Sequence, residues 1–300
     1  PVLNSVKRQI IEKEIQLKQI QCSGQAMSVD DCEFLYVKNL ELLSDPDYLK
    51  SKSAENRSVL DRGYMKAVGM ILWAARNVFL ECLVGVSFLC RVMSSPCENA
   101  WLCAMHMVKW IYQNRKRGLK FSSEGNSCPV AFSDASNKSD PHDGKCQFGF
   151  CIMMSGAPII AMSKKLNHVS PSGSASHCEY MALCDCNKSV VWLRQLLSEL
   201  DFPELIADPT PVYGDNLQAN KLCVEDFVST GNQYIYLPYH FNKEVVQAGL
   251  VDVRFVRSAF NLADLMTKPV SKGVLDKLLM IFCGYSVFSE SKLKAMTDYK

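Results

Sequence analysis

The sequence has no C-x-x-C pair and no cluster of histidines, although it contains 14 cysteines and five histidines. The closest cysteines, Cys184 and Cys186, fall in a stretch of helical character. Zinc sites need ligands at short, fixed spacings, so we expect no zinc site. Scattered free thiols are typical of a reducing compartment, and we therefore expect a cytoplasmic or nuclear protein.

An apolar run long enough to cross a membrane is also missing. The most apolar stretch, 67–93, is interrupted by Arg76, Asn77, Glu81 and Arg91, whereas a spanning helix needs about 20 largely apolar residues. We therefore expect one core helix or a pair of helices here, and no membrane partner. The opening segment PVLNSVKRQIIEKE lacks the apolar stretch of a signal peptide, so we do not expect secretion.

A strong excess of one charge is absent as well. The net charge is +2, which by itself does not indicate a nucleic-acid-binding protein. Hydrophobic residues make up 48% of the 300-residue chain, which is enough for a sizeable core and is not typical of a disordered protein. The length favours one large domain or two modest ones.

The first part of the chain is predicted to be mainly helical. Residues 1–62 are polar and weakly patterned, and the Ser-, Asp- and Pro-rich stretch 44–58 is predicted to be a loop or linker. From 60 to 118 the apolar residues recur at helical spacing. We therefore predict a mainly helical region at 1–125.

The second part, 126–300, is predicted to be an α/β domain, because its elements follow the order β-β-β-α-β-α-β-α. The first three strands are expected to be joined in part by a hairpin turn at Ser155-Gly156. The predicted strands lie at 130–136, 146–156, 157–165, 211–214 and 250–256, and the predicted helices at 176–200, 217–226, 239–248 and 261–283.

Four carboxylates occupy notable places in this order. Asp134 lies inside the first strand, Glu179 in the first turn of the long helix, Asp215 directly after the fourth strand and Asp264 in the last helix. Each also has a structural explanation: Glu179 and Asp264 suit helix N-termini, and Asp215 suits a helix cap. Asp134 is harder to explain in this way, because an unpaired acid is costly to bury in an apolar strand.

Together the four acids indicate one pocket, and they can all be ionised there only if cations neutralise them. Hard divalent ions such as Mg²⁺ or Mn²⁺ prefer oxygen ligands. A pair of such ions suits the hydrolysis of phosphodiesters. The residues alone still leave Asp215 open as either a cap or a metal ligand.

Six short motifs are spread over the second part of the chain: FSDAS (132–136), SKK (163–165), CEYMAL (178–183), PVYGDNLQA (211–219), YHFNKE (239–244) and ADLMTKP (263–269). Together they resemble the RNase H domain of copia-type LTR retrotransposon polyproteins. The upstream segments near 64–77, 86–101 and 110–123 resemble the helical tail that joins reverse transcriptase to RNase H.

The resemblance implies an RNase H-like fold, with a mixed five-stranded sheet and flanking helices. It implies that Asp134, Glu179, Asp215 and Asp264 hold two Mg²⁺ or Mn²⁺ ions and carry the catalysis. The expected reaction is hydrolysis of the RNA strand of an RNA–DNA hybrid, which would be recognised by its shape and 2′-hydroxyls. The expected partners are that hybrid and the reverse transcriptase portion of the same polyprotein.

Further candidates surround these acids. Asn216, Lys164 and Lys165 are predicted to contact the substrate, although a solvated turn explains the lysines equally well. His240 is a candidate for ordering the substrate or shuttling a proton, with a partly buried histidine beside Tyr239 as the alternative. Lys268 lies one helical turn after Asp264, so the two are expected to pair.

Other positions depart from the family pattern. Ser136 replaces an acid after the first motif, and His177 stands where the family carries another acid before the glutamate. An alternative function is therefore a catalytically degenerate domain that binds nucleic acid or protein partners. A third is another nuclease of the same superfamily, such as a resolvase or integrase, against which ADLMTKP argues. No Y-V-D-D-like motif is present, so polymerase activity is not expected.

Overall fold

A computed structural model describes residues 29–43, 45–123, 127–136, 145–166, 175–224 and 236–286. The opening segment PVLNSVKRQIIEKE, for which no signal peptide was predicted, lies outside the described residues. The first part is helical, as predicted, with short 3-10 turns at Ser53–Glu55 and Leu80–Cys82. Its helices are α1 (Val29–Leu42), α2 (Pro46–Ser51), α3 (Asn56–Asp61), α4 (Tyr64–Asn77), α5 (Leu83–Arg91) and α6 (Glu98–Gln113).

The second part contains a five-stranded mixed sheet in the order β3-β2-β1-β4-β5. Its first three strands pair antiparallel, and β1, β4 and β5 pair parallel. This sheet with flanking helices confirms the predicted α/β fold class. The strands are β1 (Val130–Ser136), β2 (Gln147–Met154), β3 (Ala157–Lys165), β4 (Thr210–Gly214) and β5 (Val251–Phe255).

Among the described residues, five helices accompany the sheet. The 25-residue helix α7 packs against one face of the sheet, mainly over β1, and α8 and α9 lie next to α7. Asn187 on α7 donates to the Asn242 side chain on α9 at 2.9 Å, which ties these two helices together inside the core. The helices are α7 (Ala175–Glu199), α8 (Leu217–Val224), α9 (Tyr236–Gln247), α10 (Asp264–Thr267) and α11 (Lys272–Phe282).

The two faces of the sheet belong to different cores. Side chains alternate between the faces of a strand, so Ala131 and Phe132 point to opposite sides. Ala131 belongs to the core formed with α7, whereas Phe132 belongs to the core that contains α4, α5, α6 and α11. The helical first part therefore shares one hydrophobic core with the sheet, and the proposed domain boundary at 125 remains a prediction.

Two sequence predictions about secondary structure were wrong. The described part of the stretch 44–58 is mostly helical, because Asp45 caps α2 by accepting hydrogen bonds from the backbone N–H groups of Asp47 (2.9 Å) and Tyr48 (3.3 Å), with Pro46 in the first turn. The single closing helix is instead two helices, α10 and α11, with Pro269 between them. Proline cannot continue a helix without losing a backbone hydrogen bond.

Ser155 and Gly156 connect β2 and β3 with φ values of 53° and 89°, as expected for the predicted hairpin turn. A disulfide joins Cys146, just before β2, to Cys178 on α7, so the expectation of free thiols is wrong for this pair. The described helices include none with the length and apolar character needed to span a membrane.

Candidate metal-binding active site

Asp134 lies in β1 and is only 3% exposed. The hydroxyl group of Thr267 donates to its Oδ2 atom, and Lys268 Nζ lies 3.9 Å from the same atom. Across the sheet Asp134 pairs with Gly149 of β2. The cost of burying this acid is therefore offset by a neutral donor and a cation, both from the segment around α10.

The glycine opposite Asp134 allows α10 to lie directly on the sheet. A Cβ atom at Gly149 would come within 2.3 Å of Met266 Cβ and 3.0 Å of the Met162 carbonyl oxygen. Only a residue without a side chain fits this space. The absence of a side chain at Gly149 thus brings Asp264 and Thr267, at the two ends of α10, to the level of Asp134.

Asp215 directly follows β4, and the adjacent Asn216 is the helix cap. Asn216 Oδ1 accepts hydrogen bonds from the backbone N–H groups of Gln218 (3.1 Å) and Ala219 (3.0 Å) at the start of α8. Asp215 instead accepts a hydrogen bond from the side chain of Ser258. The ambiguity between cap and ligand is thus resolved against a capping role for Asp215.

Asp264 begins α10 and is 7% exposed. Its Oδ1 atom lies 2.9 Å from Lys268 Nζ, which is the pairing expected from their spacing. Asn261 holds the start of this segment, because its Nδ2 donates to the Ser133 carbonyl at 3.0 Å and its Oδ1 accepts from Ala263 N at 3.2 Å. The turn that carries Asp264 is therefore attached to the strand that carries Asp134.

Carboxylate oxygens of Asp134, Asp215 and Asp264 lie within 4.8 Å of one another. Three negative charges at this separation repel one another strongly in a partly desolvated site. An all-oxygen set of this kind fits a hard divalent cation such as Mg²⁺ or Mn²⁺. Among the described residues this is the cluster that offers such a ligand set, and it contains neither cysteine nor histidine.

Glu179 lies beside this group in the second turn of α7 and is 9% exposed. Burial, followed by the negative charges of Asp134 and Asp215, raises the pKa of Glu179 to about 10, although it accepts a hydrogen bond from the Ala135 N–H. The charges of Asp134 and Asp215 are therefore close enough to repel a charge on Glu179, which is protonated at neutral pH when no cation is bound. It is not a member of the 4.8 Å group.

The other two shifted acids follow the same physical causes. Burial and then the charge of Asp134 raise the pKa of Asp264 to about 7, and Lys268 opposes this rise. Burial is also the main cause that raises the pKa of Asp215. Burial would lower the pKa of Lys268, but the charges of Asp134, Asp264 and Asp215 outweigh it and raise that pKa. The site thus holds more negative charge than one lysine neutralises.

The other residues predicted to contact the substrate or assist catalysis lie outside the cluster of acids. Lys164 and Lys165 are the last residues of β3 rather than part of a turn, and strand alternation places Lys165 on the face of Asp134 and Lys164 on the opposite face. His240 lies on α9 and its side chain is exposed, which contradicts the alternative of a partly buried histidine. Asn216 serves as a cap, and its proposed contact with the substrate stays a prediction.

Thr267, Asn261 and Ser258 hold the acids in place, and the sequence interpretation gave them no role. Thr267 belongs to the quoted ADLMTKP motif, so its place next to Asp264 was visible. Its hydrogen bond to Asp134 joins residues 133 positions apart, so this contact was not visible in the sequence.

The chain is similar to known polyproteins of transposons and to solved structures of RNase H. The chain is 29% identical over 188 residues to the retrovirus-related Pol polyprotein from transposon RE2 of Arabidopsis thaliana, covering 62% of this chain and 13% of that protein. It is 25% identical over 247 residues to the retrovirus-related Pol polyprotein from transposon TNT 1-94 of Nicotiana tabacum, covering 79% of this chain and 18% of that protein. Among solved structures, RNase H1 from Halobacterium salinarum has a TM-score of 0.33 and 15% identity, covering 50% of this chain and 98% of that one.

No protein-family model matches the chain. The chain spans less than a fifth of the length of the two polyproteins. The aligned portion of the RE2 polyprotein nevertheless covers well over half of this chain. The homologues of this chain include retrovirus-related Pol polyproteins of the copia type, in agreement with the resemblance seen in its motifs.

Proposed function

We propose that this chain is a divalent-metal-dependent nuclease that hydrolyses the RNA strand of RNA–DNA hybrids. The observation that carries the proposal is the convergence of Asp134, Asp215 and Asp264 within 4.8 Å, with Glu179 beside them. A purely structural role does not account for three buried or half-buried acids facing one another, because each of them would be more stable apart.

Asp134, Asp215, Asp264 and Glu179 are the residues that would hold two Mg²⁺ or Mn²⁺ ions. When bound, such ions supply activation of a water molecule and stabilisation of the charge on the leaving oxygen. The protein residues fix the geometry of this site: Thr267 and Lys268 orient Asp134, Ser258 orients Asp215, and Asn261 anchors the segment of Asp264. A preorganised set of this kind avoids the cost of rearranging the acids during the reaction.

Glu179 and Lys268 respond to the charge of the site. Without a cation, Glu179 carries a proton at neutral pH and Lys268 partly neutralises Asp134 and Asp264. With a divalent cation bound, the ionised form of these acids would be favoured, so Glu179 would lose its proton and Lys268 would be released from Asp264. A released Lys268 ammonium group is then available to a substrate phosphate at the same edge.

The choice of an RNA–DNA hybrid as substrate is supported by the homologues, whose names identify them as retrovirus-related Pol polyproteins of transposons. We propose that the reverse transcriptase portion of such a polyprotein is the physical partner of this chain. The helical first part, which shares a hydrophobic core with the sheet, is the portion that would make the connection.

A second candidate function is a hybrid-binding module without catalysis. One observation favours it: Lys268 already lies 2.9 Å from Asp264 and 3.9 Å from Asp134, so a side chain supplies part of the charge that a metal would supply. A module of this kind would bind the hybrid and leave the RNA strand intact.

The decisive test is cleavage of a hybrid with a labelled RNA strand in Mg²⁺, comparing the parent protein with Asp215→Asn. We expect the parent to cut the RNA and Asp215→Asn to be slower by roughly 100-fold or more. Asp185→Asn on α7 is the matched control, because Asp185 pairs with Lys188 outside the cluster, and it should cleave like the parent. No cleavage by the parent, or equal cleavage by parent and Asp215→Asn, would contradict the proposal; tight binding without cleavage would establish the binding module.

A further inference from the structure

We infer that Arg91, Gln147 and Ser163 are positioning residues for the acidic site, acting through α10. This inference rests on the proposed function for its catalytic meaning. Arg91 belongs to the helical first part, Gln147 begins β2 and Ser163 lies in β3. Their side chains form a continuous chain of hydrogen bonds from the end of α5 to the backbone of α10.

This series of hydrogen bonds ends on α10, where Ser163 Oγ donates to the Met266 carbonyl oxygen at 2.6 Å. The same Oγ accepts a hydrogen bond from Gln147 Nε2 at 2.8 Å. At the far end, Arg91 Nη2 donates to Gln147 Oε1 at 2.6 Å. Each bond is short enough to hold its partners firmly.

Gln147 is well suited to fix the positions of its partners, because it is fully buried and both polar atoms of its amide group are hydrogen-bonded. Its Nε2 donates to both Ser163 and Ser87, the latter at 3.2 Å, while its Oε1 accepts from Arg91. Water does not reach this amide to replace a lost partner. A displaced partner therefore leaves a buried polar group unpaired, which is energetically unfavourable.

α10 depends on such outside support because it has only four residues. A helix of one turn makes very few internal hydrogen bonds, and most of its backbone groups must find other partners. Its N-terminal side is held by Asn261 bonded to Ser133, and its C-terminal side by Ser163 bonded to Met266. Asp264 lies between these two anchors.

Removal of the second anchor is expected to move Asp264 and the adjacent Thr267, which donates to Asp134. Residues that orient metal ligands typically change metal affinity by 10–100-fold when they are replaced. A helix of the first part would thus help to complete a site whose acids all lie in the second part.

The primary measurement is hydrogen exchange of the backbone amides of α10 in the metal-free protein. Met266 N and Lys268 N report directly, since they bond to Ala263 O (2.8 Å) and Asp264 O (3.2 Å). We expect Ser163→Ala to accelerate their exchange by roughly 10-fold. Ser163→Thr keeps the hydroxyl group and is the matched control, which should exchange within about twofold of the parent.

The second measurement is the dissociation constant of Mn²⁺, from the electron paramagnetic resonance signal of the free ion. We expect Ser163→Ala to bind about 10-fold more weakly than the parent, and Ser163→Thr to bind like it. Arg91→Met should weaken binding as well. Because Arg91 and Ser163 act through the same Gln147, the double variant should lose much less than the product of the two single losses.

Arg76→Met is the control for this cycle, because Arg76 is exposed on α4 and lies outside the chain of hydrogen bonds. Combined with Ser163→Ala, it should add nothing to the loss. If Arg91→Met does not fold, Arg91→Lys replaces it, since it keeps the charge and loses the fork-shaped guanidinium donor.

The outcomes separate this inference from the proposed function. Unchanged exchange in Ser163→Ala, or single losses that multiply in the double variant, would overturn the positioning role. Faster exchange in both Ser163→Ala and Arg91→Met supports it even if the parent binds no Mn²⁺, and that last result would count against the proposed function alone.

Discussion

Replacing Asp264 with asparagine is expected to stabilise the metal-free protein at alkaline pH. Asp264 is buried and shares a 4.8 Å cluster with Asp134 and Asp215, and these surroundings raise its pKa from 3.8 to about 7. A raised pKa means that the folded protein opposes ionisation of this carboxyl group. Asparagine resembles the protonated form, so Asp264→Asn removes that opposition.

The magnitude follows from the size of the shift. Each pKa unit corresponds to 1.36 kcal/mol, so a shift of about three units sets a ceiling of about 4 kcal/mol. Asp215, one of the charges that raise this pKa, is only half-buried, so solvent screens part of the repulsion. We therefore expect Asp264→Asn to raise the free energy of unfolding by about 2–4 kcal/mol at pH 8.

The sign depends on pH in a defined way. Below about pH 4 the carboxyl group is protonated in both the folded and unfolded states, so Asp264→Asn should give no gain. Between about pH 4 and 7 the unfolded state loses its proton first, and the parent progressively loses stability. Above pH 7 the penalty is complete, and the advantage of Asp264→Asn should be largest.

The assay is urea unfolding at pH 4 and pH 8 in the presence of EDTA, with Asp185→Asn as the control. Asp185→Asn should differ from the parent by less than about 0.5 kcal/mol, because it breaks one partly exposed ion pair with Lys188. A loss of stability in Asp264→Asn at pH 8 would refute the reasoning, since it would mean that the ion pair with Lys268 outweighs repulsion among the acids.

Three further substitutions test single parts of the structure. Gly149→Ala should cost about 1–3 kcal/mol in urea unfolding and weaken Mn²⁺ binding, because its Cβ would meet Met266; unchanged values would contradict the close approach of α10. Asn216→Ala should cost about 1 kcal/mol through loss of the cap and leave cleavage within a few-fold, whereas a much larger loss of cleavage would indicate a contact with substrate. Cys146→Ser should lower the free energy of unfolding by about 2–4 kcal/mol without reductant, since the disulfide with Cys178 spans 32 residues, and it should have little effect with dithiothreitol; an equal effect in both conditions would argue against the disulfide.

The strands and the positions of the acids on the elements were predictable because each has a local signal. Asp134 stands in an apolar run, Asp215 follows one, and Asp264 and Lys268 are four positions apart. The order of strands and helices then indicates which ends meet at one edge of the sheet. The predicted α/β class and the pairing of Asp264 with Lys268 follow from such short-range patterns.

The wrong predictions arise where one residue type serves two purposes. Asp45 and Pro46 have the composition of a turn, yet the same residues start a helix, and only the hydrogen bonds to Asp47 and Tyr48 distinguish these uses. Pro269 divides the closing segment because proline cannot continue a helix. Apolar periodicity continues across this residue, and it therefore suggested a single helix.

The supporting contacts were beyond sequence reasoning because they join distant positions. Arg91 and Gln147 are 56 residues apart, and Ser163 and Met266 are 103 residues apart. Hydrogen bonds of this kind depend on how elements pack, and no local spacing encodes them. The same holds for Asn261, which looks like an ordinary turn residue until its contact with Ser133 is seen.

The central claim is that Asp134, Asp215 and Asp264, with Glu179, form a divalent-metal site. Anomalous diffraction from crystals soaked in Mn²⁺ tests it most directly, because the signal locates the ions without reference to activity. We predict anomalous peaks within bonding distance of the carboxylate oxygens of these acids, with Lys268 moved away from Asp264. The peaks should be lost in crystals of Asp215→Asn. Parent crystals without a peak at these acids, and with Lys268 still on Asp264, would contradict the account.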